Sequence, residues 1–313
     1  MAIYDHPDNP IPEGAVAGFI QADDGRKLRV ARWIPAGAEA RGTVCILQGR
    51  AEFIEKYYET VRDLQVRGFA VATLDWRGQG GSERLGNSRR GHVHEFEEYG
   101  LDLAAFLNQV VLPSCPPPYY ALGHSTGGLI LLDQAAAVRT RFRRMVLTSP
   151  FLGLGTSYGV SEGTARVLAA ILGGLGLSRM YVFGGSDQKI DDTPFQGNAL
   201  SGDEARYLRN QKLANDLPRL SIGSPTVGWL RAAFQAIDRV TAIDSAEKLR
   251  IPTLMIATSA DRIVSGLATE HFSVLTKAGH LIMLSGAEHE LLQERDAFRE
   301  QVWAAFDSFV PGT

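Results

Sequence analysis

The chain has 313 residues, 45% of them hydrophobic and 21% charged, with a formal net charge of −3. That composition fits a globular protein with a sizeable core, built as one large α/β domain or two ordinary ones, and the charge balance argues against a nucleic-acid partner held by electrostatics. Cys45 lies in an apolar run and Cys115 in a proline-rich loop. Neither has metal-ligand spacing and two cysteines make no disulfide framework, so no cofactor and no metal is expected.

Residues 1–10 are polar and broken by proline, without the charged-then-apolar pattern of a signal peptide. No run approaches the roughly 18 apolar residues of a membrane span. The longest candidate, residues 167–177, is interrupted by Gly173, Gly174 and Gly176. The expectation is a cytoplasmic enzyme, with peripheral contact at the inner membrane face and oligomeric state both left open.

In chain order, residues 19–22 and 28–34 flank Asp23-Asp24-Gly25-Arg26, a good hairpin turn. Residues 43–47 form an apolar run of the kind a central parallel strand gives. A helix is expected over 57–67, closed by Gly68, followed by a strand over 69–74. The loop from Asp75 to Ser82 is glycine-rich, but it lacks both the Gly-Lys-Ser/Thr of a P-loop and a G-x-G-x-x-G helix entrance. It reads as a structural turn in which Asp75 and Arg77 bond neighbouring loops. A helix over 99–112 comes next, then a strand over 119–122, a helix over 129–138 and a strand over 145–148. This alternation implies a parallel sheet with right-handed crossovers. From 150 to about 240 the β signal disappears, leaving glycine-rich links and helical pieces over 203–213 and 226–237. Strands over 251–257 and 280–284, a helix over 268–276 and an amphipathic helix over 295–309 complete the chain. The expected division is therefore 1–150 and 241–313 as two parts of one core, with 151–240 inserted between them.

Between the strand at 119–122 and its helix lies Gly123-His124-Ser125-Thr126-Gly127, a G-x-S-x-G sequence in the strand–turn–helix context that such a nucleophile requires. A serine nucleophile needs an imidazole to take its proton and a carboxylate to fix that imidazole's tautomer, in the chain order Ser, acid, His. His271 falls inside a helical pattern and His280 begins a strand, whereas His289 follows the last strand, on the sheet edge where Ser125 also lies. Asp261 follows the penultimate strand; Asp244 precedes that strand, and Asp296 belongs to the closing helix. The expected triad is Ser125, Asp261 and His289. The oxyanion hole should pair the amide of Thr126 with one from the loop after the early strand, Gln48-Gly49-Arg50-Ala51. Arg50 is the expected donor and Ala51 the alternative.

These motifs together resemble the α/β-hydrolase superfamily: Gly-His-Ser125-Thr-Gly, the late Asp261, His289 in Gly-Ala-Glu-His-Glu-Leu-Leu, and Asp75-Trp-Arg-Gly-Gln-Gly-Gly-Ser82. Within it, the chain is most similar to bacterial lysophospholipases and monoacylglycerol lipases, a group often labelled with the serine aminopeptidases. The resemblance extends from about Phe19 to Phe309. It implies an α/β-hydrolase fold with a mostly parallel sheet, helices on both faces, and a helical cap in the inserted block, over an acyl pocket. The implied activity is hydrolysis of lysophospholipid or monoacylglycerol esters through an acyl-enzyme on Ser125. Cleavage of amides by the same triad, with Glu162, Asp187 or Glu204 holding a substrate ammonium, is the alternative enzyme reading, and a non-catalytic binding protein is a third. Relatives usually carry His-Gly where this chain has Gln48-Gly49. The apolar stretch 165–172 is expected to pack on the core as a cap helix, with acyl-channel lining and contact with lipid as the other options.

Overall fold

A computed structural model describes residues 2–35, 40–85, 89–188 and 192–311. Eight strands form its single sheet: β1 (Ala15–Gln21), β2 (Lys27–Trp33), β3 (Thr43–Leu47), β4 (Ala70–Leu74), β5 (Tyr119–His124), β6 (Arg144–Thr148), β7 (Thr253–Thr258) and β8 (Gly279–Leu284). Their order is β1-β2-β4-β3-β5-β6-β7-β8. β1 and β2 pair antiparallel, as does β2 with β4, and every later pairing is parallel. β3, β4 and β7 are buried at every position, whereas β1 and β8, at the two edges, keep several positions open. That difference explains why the central strands read as continuous apolar runs.

The two-residue period of a strand sorts its side chains into two layers. From β3, Cys45 and Leu47 face a core shared with Trp76, Phe106, Leu129, Trp229 and Phe272. Val44 and Ile46 face the other, with Tyr58, Phe69, Trp303 and Phe306. Helices Glu98–Phe106, Thr126–Asp133, Val227–Thr241 and Gly266–Leu275 supply the first layer, and Tyr58–Val66 and Asp296–Phe309 the second. The mostly parallel sheet expected from strand–helix alternation is observed, and the architecture is the α/β-hydrolase fold that the resemblance implied.

Element boundaries depart from the sequence reading in three informative places. β1 begins at Ala15 rather than 19, because its antiparallel pairing with β2 continues through Gly18 to Ala15 opposite Trp33. The helix expected over 99–112 begins at Glu98 and widens into a π turn over Leu107–Val111, just ahead of Pro113, which has no amide to donate. The helix expected from 129 begins at Thr126, immediately after the turn that holds Ser125, and ends at Asp133.

Between β6 and β7, among the described residues, the chain is helical (Glu162–Gly174, Glu204–Asp216, Val227–Thr241, Ile243–Lys248) with only isolated bridges such as Tyr181 to Thr226. Val227–Thr241 is not peripheral. Its Trp229, Ala233, Phe234 and Ile237 are buried within the first core layer. No helix among the described residues is long and apolar enough to cross a membrane.

Candidate active site

Ser125 sits between β5 and its helix at φ 49°, ψ −113°. A left-handed φ on a non-glycine residue is a strained conformation, stable only where its surroundings enforce it. Here the Ser125 amide donates to the Thr148 carbonyl at 3.0 Å, and the Ser125 carbonyl accepts from Leu129 and Phe151 at 3.2 and 3.1 Å. The flanking glycines permit the close approach. A Cβ on Gly127 would lie 2.0 Å from the Leu47 carbonyl oxygen, and one on Gly123 would lie 2.8 Å from a Leu131 methyl.

His289 follows β8 and Asp261 follows β7, and these neighbouring strands pair in parallel, with Thr258 opposite Leu284. The register delivers both side chains to one sheet edge, where His289 Nδ1 donates to Asp261 Oδ2 at 2.7 Å. The second carboxylate oxygen of Asp261 accepts from the amides of Ile263 and Val264 at 2.8 and 2.9 Å. Burial pushes the Asp261 carboxyl up, but His289 and those two amides outweigh it and hold the group below the usual carboxylate range. Burial likewise opposes protonation of His289, and Asp261 overcomes it, so the imidazole pKa is raised. An ionised Asp261 accepting from Nδ1–H leaves Nε2 as the ring's proton acceptor. The His289 ring lies 4.8 Å from that of His124, the residue next to Ser125. His271 and His280 lie elsewhere, in the helix Gly266–Leu275 and in β8; Asp244 falls in the short helix Ile243–Lys248.

β3 and β5 are neighbours, with Leu47 opposite Gly123, so the loop after β3 lies beside the serine turn. Gln79, from the glycine-rich loop after β4, braces that loop: its Nε2 donates to the Gly49 and Glu52 carbonyls at 2.8 and 3.0 Å, and its Oε1 accepts from the Ala51 amide at 3.3 Å. The Gly49 amide is taken by Glu52 at 2.6 Å. Among the described residues the Arg50 amide has no acceptor, which separates it from its alternative, Ala51. Gln48, where histidine was usual in the resemblance, is fully buried; it donates to Thr73 Oγ1 at 3.3 Å and leaves its Oε1 unpaired. Asp75 accepts from Arg29, Ile54 and Gly81, and Arg77 pairs with Asp102, Asp24 and Glu98. The loop is structural, as expected.

A cavity of about 470 Å³ joins these parts, with Ser125, Thr126, Arg50 and His289 in its lining. Most of the lining is apolar, including Phe151, Leu168, Leu172 and Trp229. It also includes a charged cluster that the sequence reading did not single out. Lys56 Nζ lies between Glu52 at 3.2 Å and Glu290 at 2.6 Å, and Glu52 also accepts from the Tyr57 hydroxyl at 2.5 Å. Burial would push Glu52 up, but Lys56, His124 and these donors pull it down to about 2. Glu290 lacks those extra donors, and burial holds it above its ordinary value. Glu162, Asp187 and Glu204 do not line the cavity. Glu162 accepts from the Leu154 amide and pairs with Arg166, and Asp187 accepts from the Tyr181 hydroxyl.

A family model described as serine aminopeptidase, S33, matches residues 38–296, most of the chain. The chain belongs to this family. It is 32% identical over 283 residues to lysophospholipase L2 of Escherichia coli K12, covering 85% of this chain and 79% of that one. It is 28% identical over 290 residues to monoglyceride lipase of Rattus norvegicus, covering 92% and 88%. Among solved structures, a soluble variant of the Saccharomyces cerevisiae monoglyceride lipase, in complex with a substrate analogue, superposes with a TM-score of 0.75 at 18% identity, covering 98% of each chain. This S33-family chain is an α/β hydrolase and a carboxylic ester hydrolase.

Proposed function

We propose that this enzyme hydrolyses the carboxylic esters of glycerolipids, lysophospholipid or monoacylglycerol, through an acyl-enzyme on Ser125. The observation that carries the reading is the 2.7 Å His289–Asp261 pair beside a strained Ser125, on a cavity whose lining is largely apolar. His289 Nε2 takes the serine proton as Oγ bonds to the ester carbonyl carbon. Charge gathers on the carbonyl oxygen, where the amides of Arg50 and Thr126 receive it. The tetrahedral intermediate expels the glycerol oxygen, which leaves with the proton from His289. Water, deprotonated by the same imidazole, then attacks the acyl-serine and releases the fatty acid.

Residues 151–240 act as the cap in this reading. Helix Glu162–Gly174 serves two sides: Ala165, Leu168, Ala169 and Leu172 line the cavity, while Val167 and Ile171 are more than half exposed. The outer apolar face supports peripheral contact with a lipid surface, where such substrates reside. Relatives named lysophospholipase and monoglyceride lipase support the substrate class. Amide cleavage with a cap carboxylate as ammonium acceptor is disfavoured, since Glu162, Asp187 and Glu204 lie off the cavity. The test is a panel of lysophosphatidylcholine, monoacylglycerol, p-nitrophenyl esters and aminoacyl-arylamides, read as product release. Esters should turn over and arylamides should not, and Ser125→Ala or His289→Ala should lower ester hydrolysis by about three orders of magnitude or more. Wild-type rates in either folded variant would refute the mechanism.

A further inference from the structure

Among the described residues, Arg50 and Lys56 both line the cavity, and their surroundings differ. Lys56 is matched by two carboxylates, Glu52 and Glu290. Arg50 has no carboxylate partner among the described residues. Its guanidinium donates through Nη2 to the Gly223 carbonyl at 2.8 Å and stacks 5.2 Å from the centre of the Trp229 ring. Among the described residues the buried Nε has no acceptor. Burial brings its pKa down to about 10, so the group stays charged at neutral pH, with the phenols of Tyr99, Tyr158 and Tyr181 as its electrostatic neighbours among the described residues. Stacking and a single carbonyl hold the group in place, yet they neither neutralise it nor use the whole donor fork. A half-buried guanidinium with its donor fork mostly unused is well placed to meet an anion, and its planar donors match phosphate oxygens.

The position of this charge along the chain also matters. Arg50 is the residue whose backbone amide faces the ester carbonyl in the reading above. In a lysophospholipid the phosphate is tied to that carbonyl through the glycerol backbone, a link comparable in length to an arginine side chain. We infer that the Arg50 guanidinium receives the phosphate diester of a lysophospholipid and sets the preference for that substrate over a neutral monoacylglycerol. This rests on the glycerolipid-esterase reading and narrows it to one headgroup chemistry.

The test compares 1-palmitoyl lysophosphatidylcholine with 1-palmitoyl glycerol in the same detergent micelles, in the wild-type enzyme, Arg50→Met and Arg50→Lys. Methionine keeps the apolar stem against Trp229 and removes the charge, and lysine keeps a point charge without the fork. The ratio of kcat/KM between the two lipids is the readout, because a purely structural role would lower both rates together and leave it fixed. The wild-type ratio should favour the phospholipid, fall by about tenfold to a hundredfold in Arg50→Met, and recover partly in Arg50→Lys. An unchanged ratio in a variant that hydrolyses both lipids would overturn the role of Arg50 while leaving the esterase reading intact. If the wild type hydrolyses neither lipid, both fall. A guanidinium also receives a carboxylate, so palmitate inhibition is measured alongside. Its relief in Arg50→Met with the lipid ratio unmoved would reassign the site to the fatty-acid product and overturn the headgroup inference.

Discussion

His289 can accept the serine proton only when neutral, and the fold raises its pKa above the ordinary imidazole value, chiefly through Asp261. Protonation therefore begins at a higher pH than for a free histidine, and the acid limb of kcat/KM should lie above about pH 6.5. Asp261→Asn removes the charge that raises the pKa and no longer enforces the Nδ1–H tautomer. Activity should drop by roughly three to four orders of magnitude, and the residual acid limb should move to lower pH. A limb that stays in place in the pH–rate profile would show that another group sets it. The meeting of Ser125, Asp261 and His289 at one sheet edge was legible in the sequence, because each role in the proposed triad demands one residue type just past a particular strand. The cluster of Glu52, Lys56 and Glu290 was not. Its key contact joins residues 234 positions apart, and an ion pair of that span leaves no local pattern. The Arg50 side chain was equally silent, since only its backbone had a role that spacing could suggest.

At the scale of elements, the site depends on how closely the serine turn and the loop after β3 approach. Gly127 is the contact point. Its Cβ would meet the carbonyl oxygens of Leu47 and Gln48 at 2.0 and 2.7 Å, backbone atoms that cannot swing aside as a side chain would. Gly127→Ala should destabilise the protein by about 1–3 kcal/mol and lower kcat as well, because the displaced loop carries the Arg50 amide. Denaturant unfolding and ester kinetics check the two effects together, and a variant with unaltered midpoint and rate would contradict this packing argument. The strand–helix alternation and the inserted helical block were readable from periodicity alone. Boundaries were less so. Antiparallel pairing carried β1 back past Gly18 to Ala15, and the start of the helix at Thr126 was fixed by tight packing around Ser125 rather than by its own apolar period.

Across the whole molecule, a buried ion network ties the N-terminal hairpin to the catalytic edge. Arg29 on β2 is 1% exposed and forks onto Glu55, in the turn after the oxyanion loop, at 2.7 and 2.8 Å, and onto Asp75, after β4, at 2.7 Å. Arg29→Met would strand two buried carboxylates without a cation, an arrangement that costs about 3–5 kcal/mol. Equilibrium unfolding should report a loss of that size, and a change below about 1 kcal/mol would mean the carboxylates find other partners or protonate at little cost. The same architecture brings β5, β7 and β8 to one sheet edge under the helical block, which makes Ser125 the single expected site of acyl transfer. The most direct test is to treat the enzyme with a fluorophosphonate and locate the adduct by peptide mass mapping. The account predicts one phosphonate on Ser125, formed in parallel with loss of ester hydrolysis and absent in His289→Ala on the same time scale. No adduct on Ser125, or full activity with that residue modified, would contradict it.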